Sequence, residues 1–233
     1  IMENENSYLF VSGDVNTLLS DTTKSYSSSQ GDYSLLKRVS NGTIEVKGNI
    51  TTFNLPDSSN NTLILSGDKQ QSVSKKYGNF NIKNLMIMNS SKALILNTDI
   101  YIDGTFYCPY IKIDSNGKNV HIRSNAELLN DQQYCTLKFI QNYQFKKPIT
   151  LNTDIYIATG NIYVTIPEGI EVTVNGNLTA EYTNESTNPV SYLSYYPPKY
   201  GYLEIIGRLN VYGDYSSYHA RQLIMENENS YLF

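Results

Sequence analysis

Asp99, Asp103 and Asp154 are the residues most able to carry chemistry in this chain. Paired carboxylates on one strand face can work as general acid and base on a glycosidic bond, or hold a divalent cation through oxygen. Asp99 and Asp103 lie four apart, which puts them on one face of a regular strand. Asp154 repeats the place of Asp99, because "LNTDIYI" occurs at Leu96–Ile102 and again at Leu151–Ile157. The competing reading is structural: Asn, Thr and Asp ahead of "IYI" are turn residues whose side chains satisfy backbone groups. His121 and His219 have no metal-ligand spacing with each other or with Cys108 and Cys135. His121 alternates with Val120 and Ile122 and is expected to face solvent. No phosphate loop, nucleophile elbow or Cys-His pairing occurs, so the chain reads as no enzyme, with no catalytic, cofactor-binding or metal-binding residue and no cofactor. Cys108 and Cys135 could form one disulfide or serve as two small buried apolar groups.

The elements that carry these residues read as strands. Ile, Val, Thr and 21 tyrosines alternate with Asn, Asp, Ser and Gly, and helix formers are sparse. Ile170, Val172 and Val174 lead to Gly176, and Leu203 and Ile205 lead to Gly207 and then Leu209 and Val211. Period-two alternation of this kind marks strands with one buried face, joined at Gly-Asn or Gly-Asp corners. Repetition of strand, corner and strand predicts an all-β chain coiled on itself as a β-solenoid, with a pair of β-sandwiches as the alternative. "NAELLNDQQYCTLKFI" could include one helical turn, and "KQQSVSKK" at Lys69–Lys76 reads as a solvated loop. Two stretches interrupt the pattern: a Ser-rich loop from Ser20 to Ser34, and Thr183–Tyr202, whose Pro189, Pro197 and Pro198 should make it protrude from the sheet. Tyr192, Tyr195, Tyr196, Tyr200 and Tyr202 in that second stretch could present a ligand surface, or pack across a neighbouring turn. Six Asn-X-Ser/Thr sequons begin at Asn41, Asn49, Asn60, Asn89, Asn177 and Asn184, with Asn60 and Asn184 placed in loops and best suited to glycosylation.

The longest-range signal is a repeat. "IMENENSYLF" stands at Ile1–Phe10 and again at Ile224–Phe233, which sets a period of 223 residues. Residues 1–223 therefore read as one tandem-repeat unit, and 224–233 as the start of the next. "IEVKGNITT", "VTVNGNLTA" and "LEIIGRLNVYGD" resemble the strand–Gly–Asn–strand text of bacterial and archaeal β-helix surface proteins, among them adhesins and fibre-forming repeat proteins. That resemblance implies an extracellular or cell-surface product and carries over no functional residue.

The function expected is a structural unit of an extracellular fibre, filament or adhesin stalk, its partners being identical neighbouring units. An adhesin module that binds glycans or a host or cell surface through its tyrosines is the alternative, and a polysaccharide-degrading β-helix enzyme the remote one. A net charge of −4 argues against nucleic acid, and no apolar run is long enough for a membrane span.

Overall fold

Short runs of alternating apolar residues, cut by Gly, Asn and Asp, leave no segment with a helical period, and every regular element among the described residues is a strand. The computed structural model describes residues 2, 4–16, 41–51, 60–75, 80–91, 94–109, 113–114, 116–129, 132–133, 136–183, 199–217, 223–225 and 231–232. Two compact units divide the chain: Ile1–Val120 with Ala126–Leu129, and His121–Asn125 with Asn130–Phe233.

The first unit holds β1 (Tyr8–Val11), β2 (Val15–Asn16), β3 (Asn41–Val46), β4 (Ile50–Thr51), β5 (Asn60–Leu65) and β6 (Gln71–Ser74). It continues with β7 (Phe80–Ile82), β8 (Asn84–Ile87), β9 (Leu94–Leu96), β10 (Ile100–Ile102), β11 (Thr105–Tyr107) and β12 (Ile113–Asp114). After β13 (Val120–Ile122), which falls mostly in the second unit, β14 (Glu127–Leu128) completes the first. Three parallel arrays result, in the orders β1-β3-β5-β8-β11-β14, β2-β4-β6-β9-β12 and β7-β10.

Register explains why the apolar residues alternate. Leu9 aligns with Ile44, Ile44 with Leu63, Leu63 with Leu85, Leu85 with Phe106 and Phe106 with Leu128. From Ile44 to Leu128 this column is buried. Each member removes its side chain from water against the like residue of the next strand, at about 25 cal/mol per Å² of apolar surface. A one-residue slip would turn the whole column outward, so burial fixes the register.

The second unit is built the same way. It holds β15 (Gln132–Gln133), β16 (Leu137–Phe139), β17 (Tyr143–Gln144), β18 (Ile149–Asn152), β19 (Ile155–Ile157), β20 (Ile162–Ile166) and β21 (Glu171–Val174). Next come β22 (Leu178–Ala180), β23 (Tyr182–Thr183), β24 (Lys199–Ile205), β25 (Arg208–Val211), β26 (Tyr215–Ser217), β27 (Leu223–Met225) and β28 (Tyr231–Leu232). The arrays run β15-β18-β21-β25-β28, β17-β20-β24-β27 and β16-β19-β22-β26, all parallel, with β13 beside β16. Here Ile149, Val172 and Leu209 form one buried column and Leu137, Ile155 and Leu178 another.

Partner strands lie about one turn of chain apart. Leu63 and Leu85 are 22 positions apart, and Ile155 and Leu178 are 23. Five of the pairings are longer: Tyr8 to Thr43 and Val15 to Ile50 span 35 positions, Val172 to Leu209 and Leu178 to Tyr215 span 37, and Val164 to Leu203 spans 39. These contain the two interruptions seen in the sequence. The first, Ser20–Ser34, lies outside the described residues. The second departs from expectation at both ends. Tyr182 and Thr183 pair antiparallel with Tyr200 and Lys199, and Lys199–Tyr202 belong to β24 instead of protruding. The prolines stand between these ends, so the flanks keep their ladder donors.

Three further expectations are overturned. Gln71–Ser74 is strand β6, because Gln71 and Val73 point inward, and "KQQSVSKK" is not simply a loop. "NAELLNDQQYCTLKFI" gives β14, β15 and β16 with no helix among its described residues, since pairing with β11, β18 and β19 satisfies its backbone. His121 is only 8% exposed. Alternation sets the direction of a side chain but not what lies over it.

Candidate functional site

The "LNTDIYI" echo shows what its acids do. Thr98 and Thr153 are buried at the corner in both copies. Asp99 Oδ1 accepts a hydrogen bond from Asn119 N at 2.9 Å, and Asp154 Oδ1 accepts one from Asn177 N at 2.8 Å. Asn97 Oδ1 accepts from Asn116 Nδ2 at 3.2 Å, and Asn152 Oδ1 accepts from Asn175 Nδ2 at 2.6 Å. Each residue of "NTD" thus holds the same post twice: an outer rung of an amide ladder, an inward plug, and an acceptor for the backbone of the following turn.

The same link recurs where the corner text differs. Asn49 N donates to Asp14 Oδ1 at 2.6 Å, and Ser72 N donates to Asn49 Oδ1 at 2.8 Å. Thr105 N donates to Asn84 Oδ1 and Asp214 N to Asn177 Oδ1, both at 2.8 Å. Corner glycines let the backbones approach this closely: a Cβ on Gly176 would stand 2.3 Å from Thr153 O.

The carboxylates therefore sit in separate structural posts. Asp103 pairs with Lys83 Nζ at 3.3 Å. Among the described residues no three His, Cys, Asp or Glu side chains come together to hold a metal ion. Asp154→Ala is expected to lower stability by about 1 kcal/mol through loss of the Asn177 link, while Asp154→Asn keeps an acceptor oxygen and loses less. Urea denaturation of both variants measures this, and equal losses would remove the acceptor role.

The other sequence candidates resolve unevenly. Tyr202 lies on β24 with its ring stacked on Tyr163 of β20, centroids 4.5 Å apart and planes 9° from parallel. The two rings stack between neighbouring strands. Tyr200 pairs through its backbone with Tyr182, and Tyr192, Tyr195 and Tyr196 lie outside the described residues, as do Asn184, His219 and Cys135. Cys108 is fully buried. Asn60 is exposed, yet it opens β5 instead of lying in a loop, because it pairs in register with Asn41. Asn49, Asn89 and Asn177 spend their amide oxygens on local links and are part of the scaffold.

A buried amide pair escaped the sequence reading. Gln71 and Asn89 are each 1% exposed. Gln71 Nε2 donates to Val46 O at 3.0 Å and Gly48 O at 2.8 Å; its Oε1 accepts from Gly67 N at 2.9 Å and Asn89 Nδ2 at 2.7 Å. On the outer side, Gln70, Ser72, Asn97 and Asn116 border a shallow uncharged groove whose amides largely bond one another, Asn116 Nδ2 donating to Asn97 Oδ1 at 3.2 Å. This surface fastens turns together.

The remaining distinctive feature is the doubled decapeptide. In the first copy, Tyr8 aligns with Thr43 and Leu9 with Ile44, and among the described residues β1 ends its sheet. Tyr8, Leu9 and Phe10 are 57%, 38% and 46% exposed, a run of three large apolar side chains at an edge. Tyr8 Oη donates to Glu45, which also accepts from Ser66 Oγ; these two bonds, Ser66 foremost, hold the Glu45 carboxyl below its usual range. In the second copy, Tyr231 aligns with Arg208 and Leu232 with Leu209, and among the described residues β28 ends the sheet it joins. Searches against family models, curated proteins and solved structures find no match to this chain.

Proposed function

We propose that this chain is a repeat unit of a β-solenoid that serves as an extracellular or cell-surface fibre, filament or adhesin stalk, joined end to end by strand stacking. One observation carries the reading. The same residues, Tyr-Leu, pair in parallel with Thr43–Ile44 at the first edge of one sheet and with Arg208–Leu209 at the last edge of another. In both places the Leu aligns with a buried aliphatic residue. A strand that fits both seats can hold both at once, which is what a junction between successive units requires. Parallel pairing of strands about 20 residues apart, apolar columns and corner ladders support the solenoid. An exposed strand edge is a hazard that a following unit would cover. The glycan-binding alternative rests on Tyr192, Tyr195 and Tyr196, for which the structure supplies no observation.

A chain of two repeats, residues 1–223 followed by 1–233, tests this. It should scatter X-rays as one rod of uniform cross-section and melt several degrees above the single unit, because the inner junction is covered on both edges. Two independently tumbling bodies with an unchanged melting temperature would overturn the reading.

A further inference from the structure

Because the ten residues are identical, the seat that holds the second copy in its own chain matches the first copy of any other molecule. We propose that two copies of this chain exchange strands: β1 of one molecule adds in parallel to β25 of another and displaces β28 from it. This rests on the reading of the decapeptide as a junction strand, and it extends that reading from covalently linked repeats to separate molecules.

Register makes the exchange specific. With Tyr231 on Arg208 and Leu232 on Leu209, the incoming strand sets Tyr8 opposite Arg208, Leu9 opposite Leu209, Phe10 opposite Asn210 and Val11 opposite Val211. Leu9 and Val11 are the members of β1 that align with buried Ile44 and Val46, and Leu209 and Val211 are the buried members of β25. The columns Ile149–Val172–Leu209 and Leu9–Ile44–Leu63 then join without a polar interruption. Among the described residues β28 pairs Tyr231 and Leu232 with β25, and β1 pairs four residues with β3 and brings the same four to the new seat. On the outer face, Arg208 meets a tyrosine whose hydroxyl is held by Glu45, so opposite charges flank the seam. Strand addition of this kind draws affinity from main-chain hydrogen bonds and specificity from alternate side chains. The link is head to tail, so each copy that joins presents a further seat to the next. The resident tail competes at high effective concentration, so exchange in the native chain is slow and emerges when the tail is weakened.

In the 233-residue chain, Leu232→Asp places a charge on the tail alone, at the position that aligns with Leu209. Light scattering after size exclusion should show oligomers whose mass rises with concentration, at least twofold above the native chain at equal concentration. The double variant Leu9→Asp/Leu232→Asp should return to monomer. A folded Leu232→Asp that stays monomeric, or a double variant that oligomerises equally, overturns the exchange. A second measurement leaves the tail intact. Tyr8→Cys/Arg208→Cys, oxidised slowly, should form disulfide-linked multimers that neither single variant forms, since the two positions face each other only across exchanged strands. Monomer alone would count against exchange. If the two-repeat chain is one rod while both of these experiments fail, the covalent array stands without exchange between molecules.

Discussion

Gln71→Leu is expected to destabilise the protein by about 3–5 kcal/mol despite its similar volume and greater hydrophobicity. Gln71 is 1% exposed and makes four hydrogen bonds, two to the carbonyls of Val46 and Gly48 and two from Gly67 N and Asn89 Nδ2. Leucine satisfies none of them. Gly67 N loses its acceptor in a place water does not reach, and a buried donor left in that state costs about 1–3 kcal/mol. The carbonyl of Val46 still accepts from Ser66 N at 3.1 Å, which keeps the loss below the sum of four separate bonds. Gln70→Leu, at the exposed neighbour, should change stability by less than about 0.5 kcal/mol. Urea titration of the two variants separates the cases, and a Gln71→Leu loss under about 1 kcal/mol would refute the account of the amide pair.

Phe139→Ala is expected to cost about 3–5 kcal/mol. Phe139 is fully buried in the second unit, with its ring centroid 4.8 Å from Tyr143 and 5.9 Å from Phe145. Tyr143 and Phe145 complete the cluster edge to face at 5.2 Å. The surrounding space holds a void of only about 10 Å³, bordered by Phe145, Ile155, Val164 and Leu203 among others. Parallel strands on several sides resist collapse into the gap, so the cavity term persists. Phe139→Leu should cost under half as much, and calorimetry of the pair measures the difference. Equal melting temperatures for Phe139→Ala and the native chain would show that the cluster is not a packed core.

Much of this architecture was legible. The alternation of Ile170, Val172 and Val174 around Gly176 named the inward residues, and β21 buries Val172 and Val174. The paired "LNTDIYI" text located two corners with matching bonds, because the same residues stand at the same place in each turn. What escaped depends on neighbours distant in sequence. Gln71 looked like part of a polar loop, since its four partners lie up to 25 positions away. His121 looked exposed because the cover over a strand's outer face leaves no periodic trace in the strand itself. Asp99 and Asp154 suggested a cluster, but their acceptor roles depend on Asn119 and Asn177 of the following turns.

The antiparallel clasp of Tyr182–Thr183 against Lys199–Tyr200 has one more effect. It brings the residues on either side of 184–198 together next to the pairing of β20 with β24. Closing a longer excursion costs little more entropy than closing a short one. Changes of length between Thr183 and Lys199 are therefore expected to cost the scaffold little stability.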